Sequence, residues 1–416
     1  MGFRAVCIFI VCYAIIVAGE HSPRKLDRPA AGLLGAIAMV ALGVLSRHEA
    51  VQAIDFSTLA ILFGIMIVIH FARISGLLDT LALALLKRSH NTHQFLCVVC
   101  AVSGILSALF INDTICLLMT PLLLEATKHA RINPEPYLLA LATSSNVGSV
   151  MTLTGNPQNI LVGQASTWTW IGFACRMAPL GLTCLLINYA VIAIVYRKTL
   201  AKSIMSVSNL PIEAATPLRK KLALKTLIVL SGLLISFVAG LPLDLSAMVA
   251  AGILLVWANS PSEDALAGVD WPLLLFFAGL FVLMKGVVKT QSHWIVTLLP
   301  TMAGAGENGH TFSVFCIGAI IGSNIFSNVP FVMVARHFVG LVPNAKLLWL
   351  ALAMASTFAG NLTILGSVAN LIVAQGARQV YPLSFVKFLK VGIPVTILTS
   401  AAGGGILWLY HYLAWA

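Results

Sequence analysis

Charge is scarce in this chain: Asp, Glu, Lys and Arg together make up 9% of its 416 residues. A water-soluble domain carries about 25%. With 59% of its residues hydrophobic, the chain reads instead as a polytopic membrane protein with room for roughly ten to twelve spanning segments of about 20 residues each. Acid is scarcer than base, 14 residues against 25. The net charge of +11 excludes nucleic acid as a partner, because the basic residues punctuate apolar runs, as positive-inside loops do, and do not share one face. Of the eight cysteines only Cys97 and Cys100 are closely spaced, with no second pair to complete a metal site; buried, inert thiols are expected. No GxSxG elbow is present, and no second acid is expected beside the one intramembrane acid identified below, which argues against serine and aspartyl intramembrane hydrolases.

What is present is polar sequence in apolar surroundings. Ser144 to Gly163, SSNVGSVMTLTGNPQNILVG, gathers amides and hydroxyls around Gly148, Gly155 and Pro157. In lipid, a segment broken by Gly, Pro and amides is tolerated only where it lines a site, so 137–163 reads as a membrane helix unwound in its middle. The stretch 95–124 is apolar at both ends, carries Asn112-Asp113-Thr114 near its centre and has basic residues on both flanks. Two basic flanks belong on one side of the membrane, so this stretch reads as a re-entrant hairpin with Asn112 and Asp113 at its tip.

The second half repeats the first. Asp55-Phe56 matches Asp270-Trp271, each opening an apolar helix, and LALATSSNVGSVMTLTGNPQNILV aligns without gaps on LALAMASTFAGNLTILGSVANLIV. That places Gly155 on Gly366, Asn156 on Ser367 and Asn159 on Asn370, while Ser327-Asn328-Val329 occupies the place of Ile111-Asn112-Asp113 in a second hairpin, 311–343. Counting crossings outward from the basic segment 197–225 gives the halves, 1–196 and 226–416, opposite orientations. The expected fold is therefore an all-α polytopic membrane protein of two inverted-topology repeats, each with a re-entrant helical hairpin and a broken transmembrane helix, as alternating access requires. A channel needs no such paired sites.

These tips and breaks resemble the ion transporter superfamily, which includes divalent anion/sodium symporters, arsenite efflux permeases, sodium/proton antiporters and silicon efflux transporters. The resemblance covers nearly the whole chain. Asn112 and Asn328 match the tip asparagines of the symporter branch, and 155–159 and 366–370 match its two breaks. GNPQN itself is similar to silicon efflux proteins and the Asn-Asp tip to arsenite permeases. Ile111, Asp113 and Val329 replace hydroxyl residues of the symporter motif.

The resemblance implies a secondary active transporter, not an enzyme, in the inner (plasma) membrane. It needs no cofactor, and its coupling ion is a proton or sodium, the latter held near Asn112 and Gly148. The partners implied are the lipid bilayer and a small inorganic solute, an oxyacid or oxyanion such as arsenite or silicic acid, exported from the cell. A sodium-coupled dicarboxylate symporter and a sodium/proton antiporter stay open as alternatives, as does a homodimer. The expected binding residues are Asn112, Asp113, Thr114, Asn146, Gly148, Thr154, Gly155, Asn156, Asn159, Ser327, Asn328, Asn361, Gly366, Ser367 and Asn370, whose amides and hydroxyls both donate and accept. Asp113 is the acid expected near the midplane and hence the expected proton carrier, with Asp55 and Asp270 placed at segment ends.

Overall fold

The computed structural model describes residues 2–18, 27–201, 216–290, 308–413 and 415. Residues 202–215 of the segment 197–225, Lys202 among them, lie outside the described residues. Every described regular element is a helix. Seven helices are long and apolar enough to cross a membrane, among them Phe56–Ile74, Trp170–Val195, Trp271–Thr290 and Phe385–Tyr412. The remaining expected crossings are made by shorter helices such as Arg28–Ala41 and Leu243–Trp257, and by the two broken helices. Large apolar side chains point outward from these helices, Ile37, Leu186, Ile235 and Val256 among them, the reverse of a soluble surface and what lipid requires.

The repeat is visible element by element. Asp55 caps Phe56–Ile74 by accepting from the Thr58 amide at 3.0 Å, and Asp270 caps Trp271–Thr290 by accepting from the Leu273 amide at 3.0 Å. The first hairpin is Thr92–Leu109 and Asn112–His129; the second is Gly309–Phe326 and Asn328–Val339, turning at Ser327. Each hairpin is followed by a broken helix, Glu135–Ser149 then Pro157–Ala165 in the first half, and Lys346–Ala359 then Val368–Ala377 in the second. Pro157 takes the first position of its helix, where its missing N–H is no loss, and biases the preceding residue away from helix. Between the equivalent helices Phe56–Ile74 and Trp271–Thr290 the described helices make four crossings, through the first broken helix, Trp170–Val195, Lys220–Val238 and Leu243–Trp257, an even number because the hairpin returns to the side it left. The two repeats are therefore inverted.

The helices sort into two packing groups. Arg28–Ala41 lies on Trp271–Thr290, and Phe56–Ile74 lies on Leu243–Trp257, bracing one half against the other. The hairpins and broken helices pack with Trp170–Val195 and Phe385–Tyr412. In the bracing group a Cβ on Gly64 would stand 2.6 Å from the Ala247 backbone, and one on Gly279 would stand 2.5 Å from that of Gly32. Gly64 is equivalent to Gly279 and Ala247 to Gly32, so one close contact occurs twice under the internal two-fold. Gly279→Ala must push two backbones apart and is expected to cost about 1–3 kcal/mol, as overpacking does. The check is thermal unfolding of the purified protein in detergent; a midpoint equal to the parent's would show that the helices do not meet there.

One smaller expectation is corrected. Cys97 and Cys175 are exposed on outward helix faces, whereas Cys12, Cys100, Cys116, Cys184 and Cys316 are buried, and all eight are free thiols.

Candidate solute site between the hairpin tips

Both breaks are built on the same hydrogen bonds. Asn159 Nδ2 donates to the carbonyls of Ser149 at 3.1 Å and Thr152 at 2.8 Å. Asn370 Nδ2 donates to the equivalent carbonyls of Gly360 at 2.7 Å and Thr363 at 2.9 Å. These are carbonyls left over where a helix stops, and an amide side chain satisfies them inside the protein as the membrane demands. The loops are tight enough that a Cβ on Gly155 would lie 2.2 Å from the Ser149 carbonyl oxygen, and one on Gly366 2.8 Å from that of Gly360. Gly148 is walled off the same way, with Gly104 of the first hairpin 2.0 Å from its would-be Cβ.

The halves meet through a symmetric exchange. Asn156 Nδ2 donates to Thr357 Oγ1 at 3.2 Å, and Ser367 Oγ donates to Asn146 Oδ1 at 2.9 Å. Residue 367 is the equivalent of 156, and 357 of 146, so this is one interaction formed twice across the two-fold. Asn146 is its hub. Its Oδ1 also accepts from Asn112 Nδ2 at 3.0 Å, and its Nδ2 donates to Asn361 Oδ1 at 2.9 Å and Asn370 Oδ1 at 3.1 Å. Asn361 Nδ2 in turn donates to the Thr143 carbonyl at 3.3 Å, and Thr154 Oγ1 accepts from Trp170 Nε1 at 3.2 Å.

In front of this network lies a cavity of about 280 Å³. Of the expected binding residues, Asn112, Asp113, Ser327, Asn328, Gly366 and Ser367 line it. Thr114, Asn146, Gly148, Thr154, Gly155, Asn156, Asn159, Asn361 and Asn370 are not in its wall. Most of these hold the breaks together or tie one half to the other; their amides report a need for internal partners, which the sequence could not separate from a need for a ligand.

Asn112 and Asn328 differ from the rest. Both are buried, both line the cavity, and the Oδ1 of each is a buried acceptor with no protein partner. The amide of Asn112 is fixed by its bond to Asn146 and by its backbone N–H, which donates to the Gly155 carbonyl at 3.2 Å, so its oxygen is aimed from a rigid support.

Asp113 stands in the first turn of Asn112–His129, where the helix dipole favours negative charge, while the capping position is Ile111, without a side-chain cap. Its equivalent, Val329, lines the same cavity. Three polar residues in the wall were not expected there: Gln158, Gln375 and Asp270. Asp270 corrects the reading that Asp113 is the lone acid of the site. It does cap its helix, but it also brings a second carboxylate to the cavity. The sequence offered no signal for this, because capping already accounted for an acid at that position. Among the described residues lining the cavity none is Lys, Arg or His.

Known proteins agree with the fold. The CitMHS model, described as citrate transporter, matches residues 13–359. A silicon efflux transporter of Oryza sativa subsp. japonica is 32% identical over 450 residues, covering 91% of this chain and 92% of its own. A 46 kDa membrane protein of Mycobacterium leprae is 30% identical over 433 residues, covering 99% of each. Among solved structures, the Alcanivorax borkumensis YdaH transporter, reported for an unusual topology, has a TM-score of 0.54 at 14% identity and covers 99% of both chains, a likeness of fold alone.

Proposed function

Since the chain belongs to the CitMHS citrate transporter family and is a secondary transporter of that kind, we propose that it exports a small inorganic oxyacid, largely neutral at cytoplasmic pH, such as arsenite or silicic acid. The observation that carries this reading is the polarity of the cavity. It is lined by Asn112 and Asn328, each with a buried Oδ1 that has no protein partner, and by the acids Asp113 and Asp270, with no cation among the described residues of its wall. An acceptor-rich wall suits a solute that arrives with hydroxyl donors. It does not suit a citrate or succinate anion, since a carboxylate about 4 Å from an anionic group costs about 4 kcal/mol at an effective dielectric of 20. Size agrees: a water occupies about 30 Å³ of liquid, so a solute of four or five heavy atoms enters with water to spare. The relative named as a silicon efflux transporter supports the same class.

We assign the coupling to protons moving inward through Asp113, in the plasma membrane. The carbonyls of the first break already accept from Asn159, Asn112 and their own turns, which leaves little for a sodium ion near Gly148. A panel of solutes in a thermal-shift assay, with and without sodium, tests the substrate class, because a ligand of the folded state raises stability by mass action. Stabilisation by silicic acid or arsenite without sodium is expected. Stabilisation by citrate or succinate with sodium, and by neither oxyacid, would replace this reading with anion symport.

A further inference from the structure

Asp55 and Asp270 are equivalent caps of equivalent helices, yet they face different things. Asp270 lines the cavity. Asp55 Oδ2 lies 3.4 Å from Arg336 Nη1, with the two side chains 21% and 17% exposed. The Arg336 guanidinium also sits 5.2 Å from the centre of the Phe281 ring. Arg336 belongs to the second arm of the second hairpin, whereas Asp55 and Phe281 belong to the bracing helices Phe56–Ile74 and Trp271–Thr290. One arginine of a hairpin is thus gripped by two bracing helices.

The internal symmetry does not repeat this grip. The first hairpin has Thr120 at the position of Arg336, and the Thr120 hydroxyl donates to the Cys116 carbonyl of its own helix at 2.6 Å. It carries no charge to offer Asp270. With the central basic segment in the cytoplasm, Asp55 and Arg336 lie at the outer face, and the cavity wall formed by Pro29, Asp270 and Pro272 lies towards the cytoplasm.

We propose that the Asp55–Arg336 pair is a latch that holds the outer face shut, and that the missing counterpart at Thr120 makes the cytoplasm-facing state the resting state of the empty carrier. Opening outward requires the hairpin to leave Asp55 and Phe281, and Thr120, at the equivalent position of the first hairpin, has no charge with which to form a compensating ion pair at the inner face. A state bias of this origin needs no ligand; it follows from an interaction present in one conformation and absent from the other. For an exporter the consequence is that the unloaded site waits where its cargo is. The inference rests on the carrier reading and on this topology, not on the identity of the solute.

The test reads conformation directly. In a background lacking native cysteines, Ile372→Cys places a thiol in the cavity wall, and a membrane-impermeant maleimide is applied to right-side-out and inside-out vesicles. The reporter alone is expected to react faster from the cytoplasmic side. Adding Arg336→Gln should raise the outer-face rate about fivefold, the upper end of what a partly buried ion pair contributes. Asp55→Asn removes the charge while keeping a capping side chain, so it should do the same; the two together should do no more than either alone. Should Arg336→Gln fail to fold, the Asp55→Asn rate decides. Unchanged outer-face rates in the variants, or a parent reporter that reacts faster from outside, would overturn the latch. Labelling does not depend on the solute, so failure of the oxyacid panel and failure of the latch are separate results.

Discussion

Asn112→Ala and Asn328→Ala are each expected to lower transport by about ten- to a hundredfold, the effect of removing one buried hydrogen-bond acceptor from a solute that needs it. The expectation comes from the equivalent position of the two residues and from the one property they share, a buried Oδ1 with no protein partner at the cavity wall. A native structure tolerates such a group where something else completes it, and here both groups belong to residues that line one cavity from opposite repeats. The two variants should part company in stability. Asn112 Nδ2 also supports Asn146, the hub between the halves, so Asn112→Ala should loosen the fold as well, by about 1–3 kcal/mol. No bond from Asn328 to the hub is present, and Asn328→Ala should melt close to the parent. Uptake of the solute into inverted vesicles, read beside the melting curve of each variant, separates the two effects. Undiminished transport by both would remove the tips from the site.

The repeat and its breaks were legible in the sequence because one chemistry forces them. A helix interrupted in lipid must satisfy its own carbonyls, so Asn159 and Asn370 bond equivalent backbone atoms and leave the same Gly–Asn spacing in both halves. The division of labour among the asparagines was not legible. Nothing in the letters distinguishes Asn328, which lines the cavity and has an unpartnered Oδ1, from Asn361, whose amide is spent on Asn146 and Thr143. Asp270 escaped for a related reason, since a capping role and a place in the cavity wall are compatible and only the first has a local signature. The grip on Arg336 joins residues far apart in the chain, and its repeat equivalent is a threonine, so the internal alignment by itself pointed away from it.

Asp113→Asn is expected to abolish transport driven uphill by a pH gradient while leaving exchange of labelled solute between the two sides. The argument starts from asymmetry: the two tips present the same asparagine to the cavity, but the next residue is an acid in one and Val329 in the other. Solute binding can use both tips, whereas a proton can be carried only by the first. For inward proton flow to drive export, the acid must load at the outer face and release at the inner one, so the protonated and ionised forms must belong to different stages of one cycle. Asparagine keeps the size and the polar contacts of the side chain but has no proton to exchange. The solute can therefore still cross in both directions, with nothing to couple it to the gradient. Counterflow in proteoliposomes, with and without an imposed pH difference, measures the two activities side by side. Were the variant to retain full pH-driven accumulation, Asp113 would be a first-turn acid serving the helix dipole. Asp270, the other carboxylate at the cavity, would then be the next place to look for the proton.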